Sequence, residues 1–146
     1  MITVLFGQPH SGKSTLANEL KGHNIDGDKL REIFQNKNFT REGRIQNLNR
    51  ASDIACYLDS RGEDVILSLV YPYKEARDYL NSLSDNVKWV YLHYEGNRGR
   101  ENFHVSDFDL DTTDKILSLN TSTLTIEECV NQIKSYIYAK STSSRE

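Results

Sequence analysis

The chain has little cysteine: two residues in 146, Cys56 and Cys129. They sit far apart in apolar helical patterns. That excludes a disulfide framework or a cysteine metal site and fits buried thiols in a reducing compartment. Basic excess is also missing, because the formal net charge is −3. No broad positive field draws in nucleic acid or anionic lipid, so any phosphate site must come from local groups. No apolar run is long enough for a bilayer-spanning helix. The opening "MITVLFG" lacks the basic start of a secretory leader, and a cytoplasmic protein is expected. Internal repeats and linkers are absent as well. The expectation is one domain over residues 1–140, followed by a polar, frayed tail over 141–146.

What is present is a soluble, rather polar composition, 37% apolar and 27% charged, with strands alternating with helices. Apolar, β-branched runs predict strands at 2–6, 65–70, 87–94 and 115–120, with a short extended piece at 23–26. Helical patterns fall at 13–21, 28–35, 41–60, 73–83 and 125–139. Ile45, Leu48, Ala51, Ala55 and Leu58 form one apolar stripe on the third of these. Several strands are apolar throughout, which calls for a parallel sheet covered on both faces, an α/β fold.

The stretch "FGQPHSGKST" carries the first chemistry. Gly7, Gln8, Pro9, His10, Ser11, Gly12, Lys13 and Ser14 fit the phosphate-loop pattern G-x-x-x-x-G-K-[ST]. The glycines let the backbone turn tightly and approach phosphate oxygens, and the exposed N–H groups form an anion site. Lys13 would reach the β- and γ-phosphates, Ser14 would hold Mg²⁺, and Thr15 would add a phosphate contact. A chance match occurs in roughly one chain in two hundred of this size. The placement after a strand and before a helix weighs further against chance. ATP and Mg²⁺ are therefore the expected cofactors.

A switch GTPase or a motor ATPase would need a second strand ending in a carboxylate. "DVILSLVYP" ends without one. Small-molecule kinases place a carboxylate at the end of the second strand instead, and "NIDGDKLR" supplies Asp26 and Asp28 there. Asp26 would take the acceptor proton or hold a Mg²⁺-bound water. Asp28 reads equally as a helix N-cap or as an acceptor ligand. Arg31, one turn into that helix, would point back at a bound anion.

The segment 38–78 resembles the adenylylsulfate kinase (APS kinase) family of P-loop kinases. The residues that carry the likeness are Asp26-Gly27-Asp28, Phe39-Thr40, Arg44, Asn47, Arg50 and Tyr71-Pro72-Tyr73. Asn102 and Phe103 hold matching places further on, and 124–133 resembles the family's last helix. The resemblance implies a five-stranded parallel sheet in the order 2-3-1-4-5, with helices on both faces. It implies transfer of the ATP γ-phosphate to the 3′-hydroxyl of adenosine 5′-phosphosulfate (APS), giving PAPS for sulfate assimilation, and a homodimer. Asp28, Arg31, Phe39, Arg44, Asn47, Val70 and Phe103 would bind APS. Arg31 and Arg44 offer planar forks to its phosphate–sulfate anhydride, and Phe39 and Phe103 would sandwich its adenine.

Three departures stand out. Tyr71 replaces a serine common in the family, which closes any route through a phosphoserine there. Lys29 stands where asparagine is usual. The lid segment, 95–104, is short and keeps only Arg98 and Arg100 as cations. A kinase for another small hydroxyl acceptor, or a catalytically weak homologue that binds APS or nucleotide, are the alternatives these departures leave.

Overall fold

The computed structural model describes residues 1–9, 11–95, 105–110 and 115–139. Among these described residues the elements in chain order are β1 Ile2–Phe6, α1 Lys13–Ala17, β2 His23–Asp26, α2 Gly27–Phe34, α3 Arg41–Ser60, β3 Val65–Ser68, α4 Lys74–Leu83, β4 Val87–His93, β5 Ile116–Asn120 and α5 Ile126–Ile137. The five strands form one sheet in the order β2-β3-β1-β4-β5. Every pairing is parallel. This is the order and architecture that the resemblance implied.

The sheet is covered on both faces, and its central strands are almost wholly apolar, with only Thr3 and Ser68 polar. All residues of β1 and β3 are buried. Alternation then divides their side chains between two cores. Ile2, Val4, Phe6, Val65, Leu67 and Trp89 face one layer, where Leu48, Ala51 and Ala55 of α3 and Ala76 and Leu80 of α4 meet them. Leu5, Ile66, Val90 and Leu92 face the other, where Leu16 of α1 and Cys129 and Ile133 of α5 pack. The predicted stripe on α3 is therefore its inner face, with Ile45 and Leu58 packed at its margins. Both cysteines are free thiols, Cys129 buried and Cys56 half-buried.

Several boundaries differ from the sequence reading. The first helix stops at Ala17 rather than 21. Beyond it, Glu19 N–H bonds the Leu16 carbonyl and Leu20 N–H the Ala17 carbonyl, a tighter winding that turns the chain into β2. β3 ends at Ser68 rather than 70, level with the end of β2: Ser68 lies opposite Asp26, the last residue of β2, and opposite Leu5 of β1. The cap of α2 is Asp26, not Asp28. Its side chain accepts the Asp28 N–H at 2.9 Å, so the strand-end carboxylate also starts the helix. α5 opens on a full capping box, with Glu128 N–H to Thr125 Oγ1 at 3.1 Å and Thr125 N–H to Glu128 Oε1 at 2.9 Å. The expected tail over 141–146 lies outside the described residues.

Candidate active site

The loop between β1 and α1 lies at the C-terminal edge of the sheet, where ligands of open parallel sheets bind. Two glycines make its path possible. Gly7 has φ 150°, and a Cβ there would lie 2.1 Å from the Leu92 carbonyl oxygen. Gly12 sits at φ 103° in the left-handed region, directly before α1. The Gly7 N–H bonds the Val70 carbonyl at 3.2 Å, so Val70, expected at the acceptor side, ties the segment just after β3 to the loop through its backbone.

Lys13 folds back over this loop. Its Nζ donates to the Gly7 carbonyl at 3.1 Å, the Gln8 carbonyl at 2.9 Å and Ser11 Oγ at 3.4 Å. Burial pulls its pKa down to about 8, against the upward influence of Asp28 and then Asp26. The lysine of the phosphate loop and both carboxylates at the end of β2 therefore share one electrostatic neighbourhood. Ser14 and Thr15 are exposed on the first turn of α1, Ser11 is buried and Pro9 half-buried.

The acceptor-side residues gather around α2 and the start of α3. Arg31 does not point back toward the loop as expected. Its Nη1 donates to the carbonyls of Asn36 at 3.2 Å and Asn38 at 3.1 Å, and to Asn36 Oδ1 at 3.3 Å. Its guanidinium lies 4.2 Å over the Phe39 ring, a stacked cation that occupies one face of that ring. Phe39 is otherwise exposed. Burial, and then the neighbouring positive charge of Arg44, lower the Arg31 pKa, while Asp28 raises it. Two guanidiniums and Asp28 thus sense one another, although Arg31 itself is turned to the 36–38 carbonyls. Arg44 Nη1 donates to the Tyr73 hydroxyl at 3.3 Å.

Asn47 is the most informative of the set. It is 4% exposed on α3. Its Nδ2 reaches the Gly27 carbonyl at 3.4 Å, while its buried Oδ1 has no hydrogen-bond partner. A buried acceptor left open costs about 1–3 kcal/mol, which a donor on a bound ligand would recover. Tyr71, in the place of the family's serine, is fully buried with φ 47°. Its hydroxyl is 2.9 Å from Ser52 Oγ, and burial raises its pKa. It is core, not a group that could carry a phosphate.

Several contacts here escaped the sequence reading. The Gln8 side chain is bonded to the backbone of Val105. Arg77 is buried at 1% exposure and pairs with Asp109, Nη2 to Oδ1 at 2.9 Å. A signal did exist for Arg77, since it lies three residues before the buried Leu80 and so on the inner face of α4. His10, Arg98, Arg100, Asn102 and Phe103 lie outside the described residues.

Among the described residues no three His, Cys, Asp or Glu side chains gather as a metal site. Mg²⁺ in nucleotide sites is held mainly by phosphate oxygens and water, with one or two protein groups. The exposed Ser14 and the Asp26 carboxylate are the kind of donors such an ion takes.

A family model for adenylylsulphate kinase matches residues 1–98. A probable adenylyl-sulfate kinase of Aeropyrum pernix is 37% identical over 93 residues, 57% of this chain and 51% of that protein. A cytidine diphosphoramidate kinase of Campylobacter jejuni is 31% identical over 100 residues, 62% of this chain and 59% of that protein. The matches to these two span only about half of the relatives' own length. Among solved structures, the Mycobacterium tuberculosis APS kinase CysC in complex with AMPPNP and APS superposes with a TM-score of 0.79. It is 17% identical, with 94% of this chain and 97% of that chain covered. At that identity the likeness is one of fold.

Proposed function

This chain belongs to the adenylylsulphate kinase family, and from that premise we propose that it moves the γ-phosphate of ATP to the 3′-hydroxyl of APS. The observation that carries the reading is the shared field of Lys13, Asp26 and Asp28, with Arg44 and the open acceptor of Asn47 close to the same helix start.

In this mechanism the loop from Gly7 to Gly12 holds the triphosphate with backbone N–H groups. Lys13 leaves its carbonyl partners for phosphate oxygens, which replace three neutral acceptors by charged ones. Ser14 would hold Mg²⁺, whose charge would offset that of the transferring phosphoryl group. Asp26 uses Oδ1 to cap α2. Its other oxygen takes the proton of the acceptor hydroxyl. The acceptor oxygen then forms its bond to phosphorus as the bond to ADP breaks. Arg44 and Arg31 bind the acceptor's anionic end, with Asp28 setting their field. Arg31 must release the 36–38 carbonyls to do so. Asn47 Oδ1 accepts a hydrogen bond from the acceptor. Phe39 offers its free face to the adenine.

Tyr71 makes direct transfer to the acceptor the route, since no serine stands there to be phosphorylated. The single domain over 1–140, a cytoplasmic location and a homodimer belong to the same proposal. No helix among the described residues is long and apolar enough to cross a membrane. Light scattering reads the dimer.

The kinase reading is tested by ADP release with APS as acceptor. Turnover that requires APS and disappears in Lys13→Ala supports it. Release of ADP at the same rate without APS overturns it. A second reading is favoured by the Campylobacter relative, a kinase named for cytidine diphosphoramidate. Turnover with such an acceptor, and none with APS, would select that reading.

A further inference from the structure

Val105–Asp109 forms a strap over the C-terminal edge of the sheet, and its two ends are fixed to different parts of the site. At the first end, Gln8 Nε2 donates to the Val105 carbonyl at 2.9 Å, and the Val105 N–H donates to Gln8 Oε1 at 2.8 Å. This is a two-way amide pair between a phosphate-loop side chain and a backbone 97 positions away. In the middle, Phe108 stacks on Phe6 with ring centres 6.4 Å apart. At the far end, the Asp109 N–H bonds the Pro72 carbonyl at 2.8 Å, and its carboxylate takes the Lys74 N–H at 2.7 Å. The strap also reaches the acceptor side. The Tyr73 hydroxyl donates to Asp107 Oδ1 at 3.3 Å and accepts from Arg44 Nη1 at 3.3 Å. With its proton committed to Asp107, the Tyr73 oxygen keeps its lone pairs for Arg44.

We propose that Gln8 is a positioning residue: by clamping Val105 it sets the strap, and through Asp107 and Tyr73 the strap orients Arg44 toward the acceptor. The pattern G-x-x-x-x-G-K-[ST] leaves the residue type at position 8 open, because only its backbone lies along the phosphates. Here the side chain holds the backbone of Val105, whose own side chain is buried in the core. The contact joins the nucleotide loop to the segment that faces the acceptor arginine. The inference rests on the kinase reading for the identity of the acceptor, but not for the geometry it tests.

The experiment compares the whole chain with Gln8→Leu, Gln8→Glu and Asp107→Ala. Amide exchange at Val105 and the NMR signal of the Arg44 guanidinium are read without acceptor, and KM for APS is read by ADP release. In Gln8→Leu, exchange at Val105 speeds up about tenfold, the worth of one hydrogen bond, and the Arg44 signal shifts. In Gln8→Glu, which keeps the acceptor for the Val105 N–H, both changes are smaller. In Asp107→Ala the Arg44 signal shifts in the same sense while Val105 keeps its protection. KM for APS rises several-fold in Gln8→Leu and Asp107→Ala, and the double variant is no worse than the more affected single, as expected for links in one chain. If Val105 exchange and the Arg44 signal stay as in the parent, the inference is wrong, whatever APS does. Additive effects in the double variant also overturn it. If both signals move and APS is not turned over, the APS reading fails and the positioning role stands.

Discussion

Raising the pH should weaken nucleotide binding through one group, Lys13. Its amine is held in a pocket of carbonyls, and burial brings its pKa from the ordinary 10.5 to about 8. The sign follows from the ligand. Phosphate oxygens bind the charged amine, so the binding-competent form dominates below pH 8 and is lost above it. A bound triphosphate holds the proton on, which keeps the pKa of the complex higher than that of the free protein. With a free-protein pKa of about 8, about nine-tenths of the amine is charged at pH 7 and about 3% at pH 9.5. Affinity for ADP should therefore fall roughly thirtyfold across that interval, or about 2 kcal/mol. Calorimetric titration with ADP and Mg²⁺ at intervals from pH 7 to 9.5 reads this directly. Lys13→Arg supplies the control, because a guanidinium stays charged throughout: its affinity is lower overall but level with pH. Asp28→Asn removes the larger of the two influences that raise the Lys13 pKa, so its break moves below pH 8. A parent curve that stays level to pH 9.5, or one that runs parallel to Lys13→Arg, would refute the assignment of the lysine to the phosphates.

Two further substitutions separate stability from function. Asn47→Leu removes a buried acceptor that has no partner and one long bond to the Gly27 carbonyl. Its unfolding free energy by urea titration should stay within about 1 kcal/mol of the parent, while KM for the acceptor rises about tenfold; a large loss of stability with KM unchanged would make Asn47 structural. Asp109→Ala removes the carboxylate partner of buried Arg77 and the contact to the first N–H of α4. Arg77 keeps the Tyr71 carbonyl and Asp109 is half-exposed, so the cost is about 2–3 kcal/mol, or a fall in Tm of about 5–10 °C. A fall of less than a degree in scanning calorimetry would show that Arg77 does not depend on this pair.

Much of the fold could be read from local pattern because the central strands are near-continuous apolar runs and the α3 stripe is regular. The phosphate loop was equally legible, since its glycines answer a backbone need that no other residue meets: Gly7 has a carbonyl 2.1 Å from where a Cβ would sit. What failed was the side-chain detail at element ends. Asp26 and Asp28 are both good caps by type, and only the backbone at Asp26, extended at φ −97° and ψ 132°, decides between them. The direction of the Arg31 side chain is another such detail: it is turned to the carbonyls of a loop whose path no periodicity encodes. Gln8, Arg77, Asp107 and Asp109 escaped for a related reason. Their contacts join residues 32 to 97 positions apart, and nothing in the local sequence marks such pairs.

The most direct test is the fate of a labelled γ-phosphate. ATP carrying ³²P at the γ position is incubated with Mg²⁺, APS and the protein, and the products are separated by chromatography. Label should appear in PAPS, at the 3′ position, in the parent and not in Lys13→Ala. Label that stays in ATP, or passes only to inorganic phosphate at the same rate with and without APS, would contradict transfer to this acceptor.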